Sequence, residues 1–160
     1  MSDLVNDLSK LLRKKRWMLA TAESCTGGMI AAAITSKDGS SQVFDRGFIT
    51  YSNEAKMELL GVQDDTLIDH GAVSQETAIE MAKGALDNSK AQISVSVTGI
   101  AGPGGGTKEK PVGLVYIGYA IKGGVAQATK HNFDGDREEV RSQTSKAALN
   151  HLIKITEESD

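Results

Sequence analysis

Apolar residues recur along this chain of 160 residues with two different periods. Near the N-terminus, Leu4, Val5, Leu8, Leu11 and Leu12 fall three or four positions apart, which predicts a helix over residues 2–15 with one buried face. The sequence predicts further helices from about Thr26 to residue 36, over 52–61, over 74–86 and from 135–136 to about 156. Ser52 or Asn53 and Ser74 are predicted N-caps.

Short apolar or alternating runs predict five strands, over residues 17–22, 46–51, 93–99, 112–121 and 125–133. Lys122-Gly123-Gly124 separates the last two and is typical of a hairpin. Helices separate the early strands, whereas the last two are joined directly. This order predicts a three-layer α/β/α sandwich with a mixed five-stranded sheet, formed by one domain over residues 1–160.

Composition narrows the classes of partner. A net charge of −3, a pI of about 5.6 and 4% aromatic residues argue against a nucleic-acid partner. The basic run at 13–16 is interpreted as the end of the first helix, and Gln63-Asp64-Asp65 as a helix start. Neither a signal peptide nor a membrane span is predicted, so the expectation is a cytoplasmic protein without a membrane partner.

The segment TAESCTGG, residues 21–28, is the first candidate site. Ser24 falls at the carboxyl end of a predicted strand, where open α/β sheets bind ligands. If a helix starts at about Thr26, the amides of Cys25 to Gly28 would be free to hold an oxyanion. The alternative is an ordinary helix cap made by Ser24 or Thr26, with Glu23 in the first turn. The segment alone leaves both interpretations open.

A serine nucleophile needs a base. Lys56, one turn into the helix after the second strand, can serve if burial lowers its pKa, although most helix lysines are solvated. Structural roles suit the three histidines better. These are His70, which is predicted in a turn between helices, His131 and His151. Cys25, the one cysteine, cannot form an internal disulfide and is a rival nucleophile.

A glycine-rich loop over residues 99–111 could present bare amides to a phosphate, although it lacks P-loop spacing and could equally be a flexible connection. Arg137 and Arg141 share one face of the last helix, where they could bind an anion or pair with surface acids. No spacing typical of a metal site occurs.

The motifs TAESCTGG, RGFITYSNEAKMELLGV, HGAVS, TGIAGPGGGTKEKPVGLVY and DGDREEVR occur in this order. The series, which covers about residues 5–155, resembles the CinA C-terminal domain family in its stand-alone form. Leu114 stands where many relatives carry Thr. The resemblance implies an α/β/α sandwich and hydrolysis of nicotinamide mononucleotide to nicotinate mononucleotide and ammonia. Ser24 and Lys56 match the serine and lysine of the family motifs.

These interpretations combine into one hypothesis with no cofactor or metal and a small nucleotide as substrate. Lys56 activates Ser24, and the amides of Cys25, Thr26, Gly27 and Gly28 hold the oxyanion. The expected substrate-binding residues are Tyr51, Asn53, Thr98, Gly99, Ala101, Gly102, Gly104, Gly105, Arg137 and Arg141. The alternative is a nucleotide-binding module without catalysis. The sequence is compatible with a homo-oligomer and does not require one.

Overall fold

A computed structural model describes residues 1–159. Its strands are β1 Leu19–Glu23, β2 Phe44–Ile49, β3 Ile93–Gly99, β4 Leu114–Ile121 and β5 Ala126–Asn132. Its helices are α1 Ser2–Lys15, α2 Met29–Thr35, α3 Asn53–Leu60, α4 Asp64–His70, α5 Gln75–Asp87 and α6 Arg137–Glu158, with a 3₁₀ turn at Ser40–Gln42.

The strands form one sheet in the order β2-β1-β3-β4-β5. Strand β1 pairs in parallel with β2 and with β3, whereas β4 runs antiparallel to both β3 and β5. The predicted mixed five-stranded sheet is therefore confirmed. Gly123, at φ +75°, lies in the turn that joins β4 to β5.

Two apolar layers cover the sheet. Helices α1, α2 and α6 pack on one face around Leu8, Ile30 and Leu149. Helices α3 and α5 pack on the other face, where the cluster includes Ala20, Ala22 and Met81. The predicted α/β/α sandwich is confirmed, and β1 is an inner strand of its sheet with all five residues buried.

Close packing of α5 on the sheet uses small polar residues of β3. Ser94 Oγ donates to the carbonyl of Ala82 at 2.7 Å, and Ser96 Oγ donates to that of Ala78 at 2.6 Å. A Cβ at Gly118 of β4 would come within 2.5 Å of the same Ala78 oxygen. These contacts hold α5 closely against β3 and β4.

Several predicted boundaries shift. Ser52 and Ser74 cap α3 and α5 by accepting from the amides of Ala55 and Thr77, as expected. Helix α2, however, begins at Met29 and not at about Thr26, because residues 24–28 form turns. His70 is the last residue of α4 and does not lie in a turn between helices.

Candidate active site

The carboxyl ends of three parallel strands meet at one edge of the sheet. After β1 the chain turns toward α2 on one face, and after β2 it enters α3 on the opposite face. Adjacent strands whose connections leave on opposite faces open a crevice between them. Ser24 follows β1 directly, and Lys56 lies in the helix that follows β2, so both side chains reach this crevice.

Ser24 and Lys56 form a buried pair. Lys56 Nζ lies 3.0 Å from Ser24 Oγ, and the two residues are 1% and 8% exposed, respectively. The same nitrogen donates to the carbonyls of Thr50 at 2.8 Å and Tyr51 at 3.4 Å. Within residues 1–159 no carboxylate pairs with Lys56. The lysine is therefore held by neutral groups alone.

This environment favours the neutral amine. Burial lowers the pKa of Lys56, and a Cys25 thiolate would oppose that shift. Burial also raises the pKa of Cys25 to about 11, so the thiol is uncharged near neutral pH and its opposing influence is absent there. A desolvated lysine without a counter-ion can act as a general base at moderate pH.

The turn after β1 does not leave every predicted amide free. The amide of Gly27 donates to the Ser24 carbonyl at 3.1 Å, and that of Gly28 to Glu23 Oε1 at 3.2 Å. In the described part of the chain, the amides of Cys25 and Thr26 donate to no protein group. The expected set of four oxyanion donors is thus reduced to these two.

A pocket of about 180 Å³ surrounds the pair. Nine of the predicted site residues line it: Ser24, Cys25, Tyr51, Asn53, Lys56, Thr98, Gly99, Ala101 and Arg137. Ala72 and Val73 complete the lining and are not among the site residues that the sequence predicts. Thr98 Oγ1 donates to the Ala72 carbonyl at 2.8 Å and so holds that segment at the end of β3. The only sequence signal for these two residues is their place in the motif HGAVS.

Arg137 links one wall of the pocket to the loop that follows β3. Its guanidinium donates to the Gly102 carbonyl at 2.8 Å and to the Tyr51 hydroxyl at 3.1 Å. Arg137 and Tyr51 are both exposed, so the bridge faces solvent. A cation here is suited to an anionic group of a ligand whose reactive end reaches Ser24.

The other predicted site residues lie outside this lining. Gly104 and Gly105 are exposed in the loop after β3, and the carbonyl of buried Gly102 accepts from Arg137. Arg141 donates to the carbonyls of Cys25 and Thr26, so its guanidinium is engaged behind the turn. The expectation that Arg141 contacts substrate is therefore not supported by its position.

Other polar groups have structural partners. Arg13 donates to the Gly39 carbonyl at 3.2 Å, and Lys15 Nζ lies 5.0 Å from the Trp17 ring centroid. Two residues of the basic run at 13–16 therefore make contacts within the fold. Among residues 1–159, no group of three or more His, Cys, Asp or Glu side chains is arranged to hold a metal ion. Nor does the described chain contain a helix with the length and apolar character to cross a membrane.

Comparison with known proteins defines the family. The CinA C-terminal domain matches residues 1–156, so the chain belongs to that family. It is 51% identical over 156 residues to a nicotinamide-nucleotide amidohydrolase, PncC, of Enterobacter agglomerans, with 95% of each chain covered. It is 58% identical over 144 residues to a putative competence-damage inducible protein of Caldicellulosiruptor bescii, and the match spans 35% of that protein's length.

Solved structures agree with the fold. The competence/damage inducible protein CihA of Agrobacterium tumefaciens superposes with a TM-score of 0.94 at 47% identity, covering 96% of this chain and 94% of that one. The competence damage-inducible protein A of Klebsiella pneumoniae superposes with a TM-score of 0.95 at 34% identity, covering 99% and 98%. The arrangement of strands and helices is thus shared over nearly the whole described chain.

Proposed function

We propose that this protein hydrolyses the carboxamide of nicotinamide mononucleotide, giving nicotinate mononucleotide and ammonia through an acyl-enzyme on Ser24. The single observation that carries the proposal is the 3.0 Å contact between Ser24 Oγ and the buried Lys56 Nζ inside a pocket. The amidohydrolase named for a relative that matches over 95% of both chains supports the choice of substrate.

Lys56 is the proposed general base. A neutral amine has two N–H donors and one lone pair. The carbonyls of Thr50 and Tyr51 can accept the two N–H groups, which leaves the lone pair for the Ser24 hydroxyl. In this arrangement Ser24 donates its proton to Nζ as its oxygen attacks the carboxamide carbon.

The amides of Cys25 and Thr26 are the proposed oxyanion donors. As the bond from Ser24 Oγ to the carboxamide carbon forms, the carbonyl electron pair moves to oxygen. Backbone N–H groups fixed in a water-poor pocket stabilise such a charge more in the transition state than in the ground state. Both amides belong to the turn that carries Ser24, and neither donates to a protein group within residues 1–159.

Two half-reactions complete the proposed chemistry. When the tetrahedral intermediate collapses, the C–N bond breaks and the Lys56 ammonium gives its proton to the leaving nitrogen, which departs as ammonia. Water then attacks the ester carbon and transfers a proton to Lys56. Cleavage of the bond to Ser24 Oγ returns that proton to the serine and releases the carboxylic acid.

The rest of the pocket suits recognition of the nucleotide. Tyr51, Asn53, Thr98, Gly99 and Ala101 line its walls and would surround the pyridine ring. Arg137, at the exposed side, would meet the phosphate. Gly104 and Gly105 would contact the phosphate from the exposed loop after β3, outside the pocket lining.

The test is ammonia release from nicotinamide mononucleotide by the purified wild type, Ser24→Ala and Lys56→Met. We expect ammonia from the wild type alone, with unchanged substrate binding by Ser24→Ala. Near-normal turnover by Ser24→Ala would refute the acyl-enzyme. Tight binding by the wild type without ammonia would favour the alternative, a nucleotide-binding module.

A further inference from the structure

Two side chains hold the turn of residues 24–28 from opposite directions, and neither belongs to the proposed catalytic pair. Glu23 accepts hydrogen bonds from the donors of the turn, and Arg141 donates to its carbonyls. We propose that Glu23 and Arg141 are positioning residues that fix the Cys25 and Thr26 amides as an oxyanion hole. The inference rests on the proposed acyl transfer and extends it to residues outside the pocket.

Glu23 is the last residue of β1 and is 1% exposed. Its Oε1 accepts from Thr26 Oγ1 at 2.6 Å and from the amides of Gly28 and Ile30 at 3.2 and 3.0 Å. Its Oε2 accepts from the amide of Ala31 at 3.0 Å. The carboxylate thus takes up the unpaired donors where α2 begins, a position that suits a negative charge.

This arrangement separates two groups of backbone donors. The donors that begin α2 are consumed by the resident carboxylate, so they are not available to a ligand. The Cys25 and Thr26 amides are left over within the described residues. Of the amides in this turn, those of Cys25 and Thr26 are therefore the ones available to an anion that forms on a substrate bonded to Ser24.

Arg141 fixes the direction of the peptide planes. Its Nε donates to the Cys25 carbonyl at 3.0 Å, and its Nη2 donates to the Thr26 carbonyl at 3.3 Å. In a trans peptide the N–H points away from the C=O of the same plane. Because Arg141 binds the Cys25 carbonyl, the Thr26 N–H points to the side opposite the guanidinium. The next N–H along, that of Gly27, is already bonded to the Ser24 carbonyl.

Two glycines give the turn a shape that lets Arg141 reach its carbonyls. Gly27 has φ +57° and Gly28 has φ +108°, values that side-chain-bearing residues rarely adopt. A Cβ at Gly27 would lie 3.4 Å from Arg141 Nη2, and one at Gly28 would lie 3.1 Å from Ile49 Cδ1. The turn therefore depends on its two glycines for its shape and on Glu23 and Arg141 for its hydrogen bonds.

The test compares Arg141→Met with Arg13→Met, since Arg13 also donates to a backbone carbonyl, that of Gly39, which lies outside the turn of residues 24–28. We expect Arg141→Met to lower kcat for ammonia release by about 30-fold, with KM within threefold. The loss is smaller than the roughly 10²–10³-fold that follows outright removal of an oxyanion donor, because both amides are kept but less well fixed. The pH at half-maximal kcat should not move, because Lys56 keeps its surroundings. Arg141→Lys, which can still reach one carbonyl, should lose about tenfold.

A second readout separates this inference from the choice of substrate. A fluorophosphonate that labels serine places its phosphoryl oxygen where the oxyanion forms, so its rate of Ser24 labelling, followed by mass spectrometry, should fall in parallel in Arg141→Met. If the wild type releases no ammonia but labels rapidly, and Arg141→Met labels slowly, the substrate is wrong and the positioning role stands.

Glu23→Gln provides the matching change on the other side of the turn. Its amide oxygen can keep the bonds that Oε1 accepts, but its amide nitrogen cannot accept from the Ala31 amide, which bonds to Oε2. The turn loses the negative charge and one bond, so kcat and labelling should fall together, again with little change in KM. The proposal is overturned if Arg141→Met and Glu23→Gln both keep a labelling rate and a kcat within twofold of those of Arg13→Met. It is also overturned if the loss is confined to KM. If Arg141→Met does not fold, Arg141→Lys decides: less than a threefold loss in kcat overturns it.

Discussion

In two places among residues 1–159, below the exposed surface, a nitrogen base contacts a hydroxyl. At the carboxyl edge of the sheet, Lys56 Nζ lies 3.0 Å from Ser24 Oγ. On β5 and α6, His131 Nε2 lies 2.9 Å from Thr129 Oγ1, and His151 Nε2 lies 3.4 Å from the same oxygen. Judged by residue type and distance alone, the histidine cluster is the more familiar base–nucleophile pair.

Their surroundings distinguish the two. The Thr129 hydroxyl is shared by two rings, and His131 stacks on Phe133 at a centroid distance of 5.3 Å. Neither histidine lines the pocket that contains Ser24. Ser24, in contrast, adjoins a pocket and two backbone amides without protein partners in residues 1–159. Proximity of base and hydroxyl is therefore insufficient, and the adjoining pocket and unpaired amides are what favour Ser24 and Lys56 as the proposed catalytic pair.

Replacing each base tests this distinction most strongly. We expect Lys56→Met to lower kcat/KM for ammonia release by at least about 10³-fold, because Ser24 loses its proton acceptor. The matched change His131→Gln should leave kcat/KM within about twofold of wild type. Steady-state kinetics on the three proteins provide the measurement, and circular dichroism checks that each is folded.

The double variant Ser24→Ala with Lys56→Met sharpens the same comparison. Groups that act as one unit are strongly non-additive, so the double variant should be no slower than the slower single one. If the loss in activity of the double variant equalled the product of the two single losses, serine and lysine would act in separate steps. A loss in His131→Gln as large as that in Lys56→Met would reverse the assignment of the two clusters.

The pH dependence gives the next largest effect. Burial lowers the pKa of Lys56 below its ordinary 10.5, and the amine must be neutral to accept the serine proton. Activity should therefore rise with pH, about tenfold per unit below that lowered pKa, and level off before pH 10.5. His131→Gln should leave the midpoint of the rise unchanged. A midpoint near 6.5 that disappears in His131→Gln would contradict the role of Lys56.

Most of the fold could be predicted from the sequence because each element carries a local signal. The apolar spacing of α1, the caps Ser52 and Ser74, and the Gly-Gly turn all report on nearby residues. The start of α2 was predicted too early because its first donors are taken up by Glu23, a tertiary arrangement of one buried carboxylate. No propensity scale contains that information.

The candidate site was predictable to the extent that it follows from topology. Parallel strands place Ser24 and the residues after β2 at one edge, and the motif resemblance pointed to Lys56. The sequence predicts the same role for Arg141 and Arg137 because both share a helix face. In the structure, Arg141 binds carbonyls of the turn after β1, whereas Arg137 lies at the mouth of the pocket. Spacing along a helix does not distinguish such partners.

The histidine cluster should instead affect stability. Burial lowers the pKa of both His131 and His151 below the ordinary 6.5, helped by His151 in the first case and Lys154 in the second. The unfolded chain then binds protons more readily, so their contribution is fully present above pH 6.5 and is lost as pH falls below it.

Urea unfolding at pH 7.5 and pH 5.5 measures this contribution. The wild type should lose stability at the lower pH, and the double variant His131→Gln with His151→Gln should lose less of it than wild type. Equal losses in both proteins would show that other groups, such as surface carboxylates, account for the pH dependence.

The smallest expected effect concerns Cys25, the neighbour of Ser24. A thiol is intrinsically the better nucleophile, but burial raises the pKa of Cys25 to about 11, so almost none is thiolate at neutral pH. Its carbonyl is also bound by Arg141, which orients the Thr26 amide of the same peptide plane and does not contact the sulfur. Cys25→Ala should therefore change kcat by less than about threefold, since the amide is kept and only side-chain packing is lost. Ammonia release by Cys25→Ala, measured beside Ser24→Ala, checks this. A Cys25→Ala variant as inactive as Ser24→Ala would transfer the covalent step to the sulfur, and Lys56 would then be paired with the wrong residue.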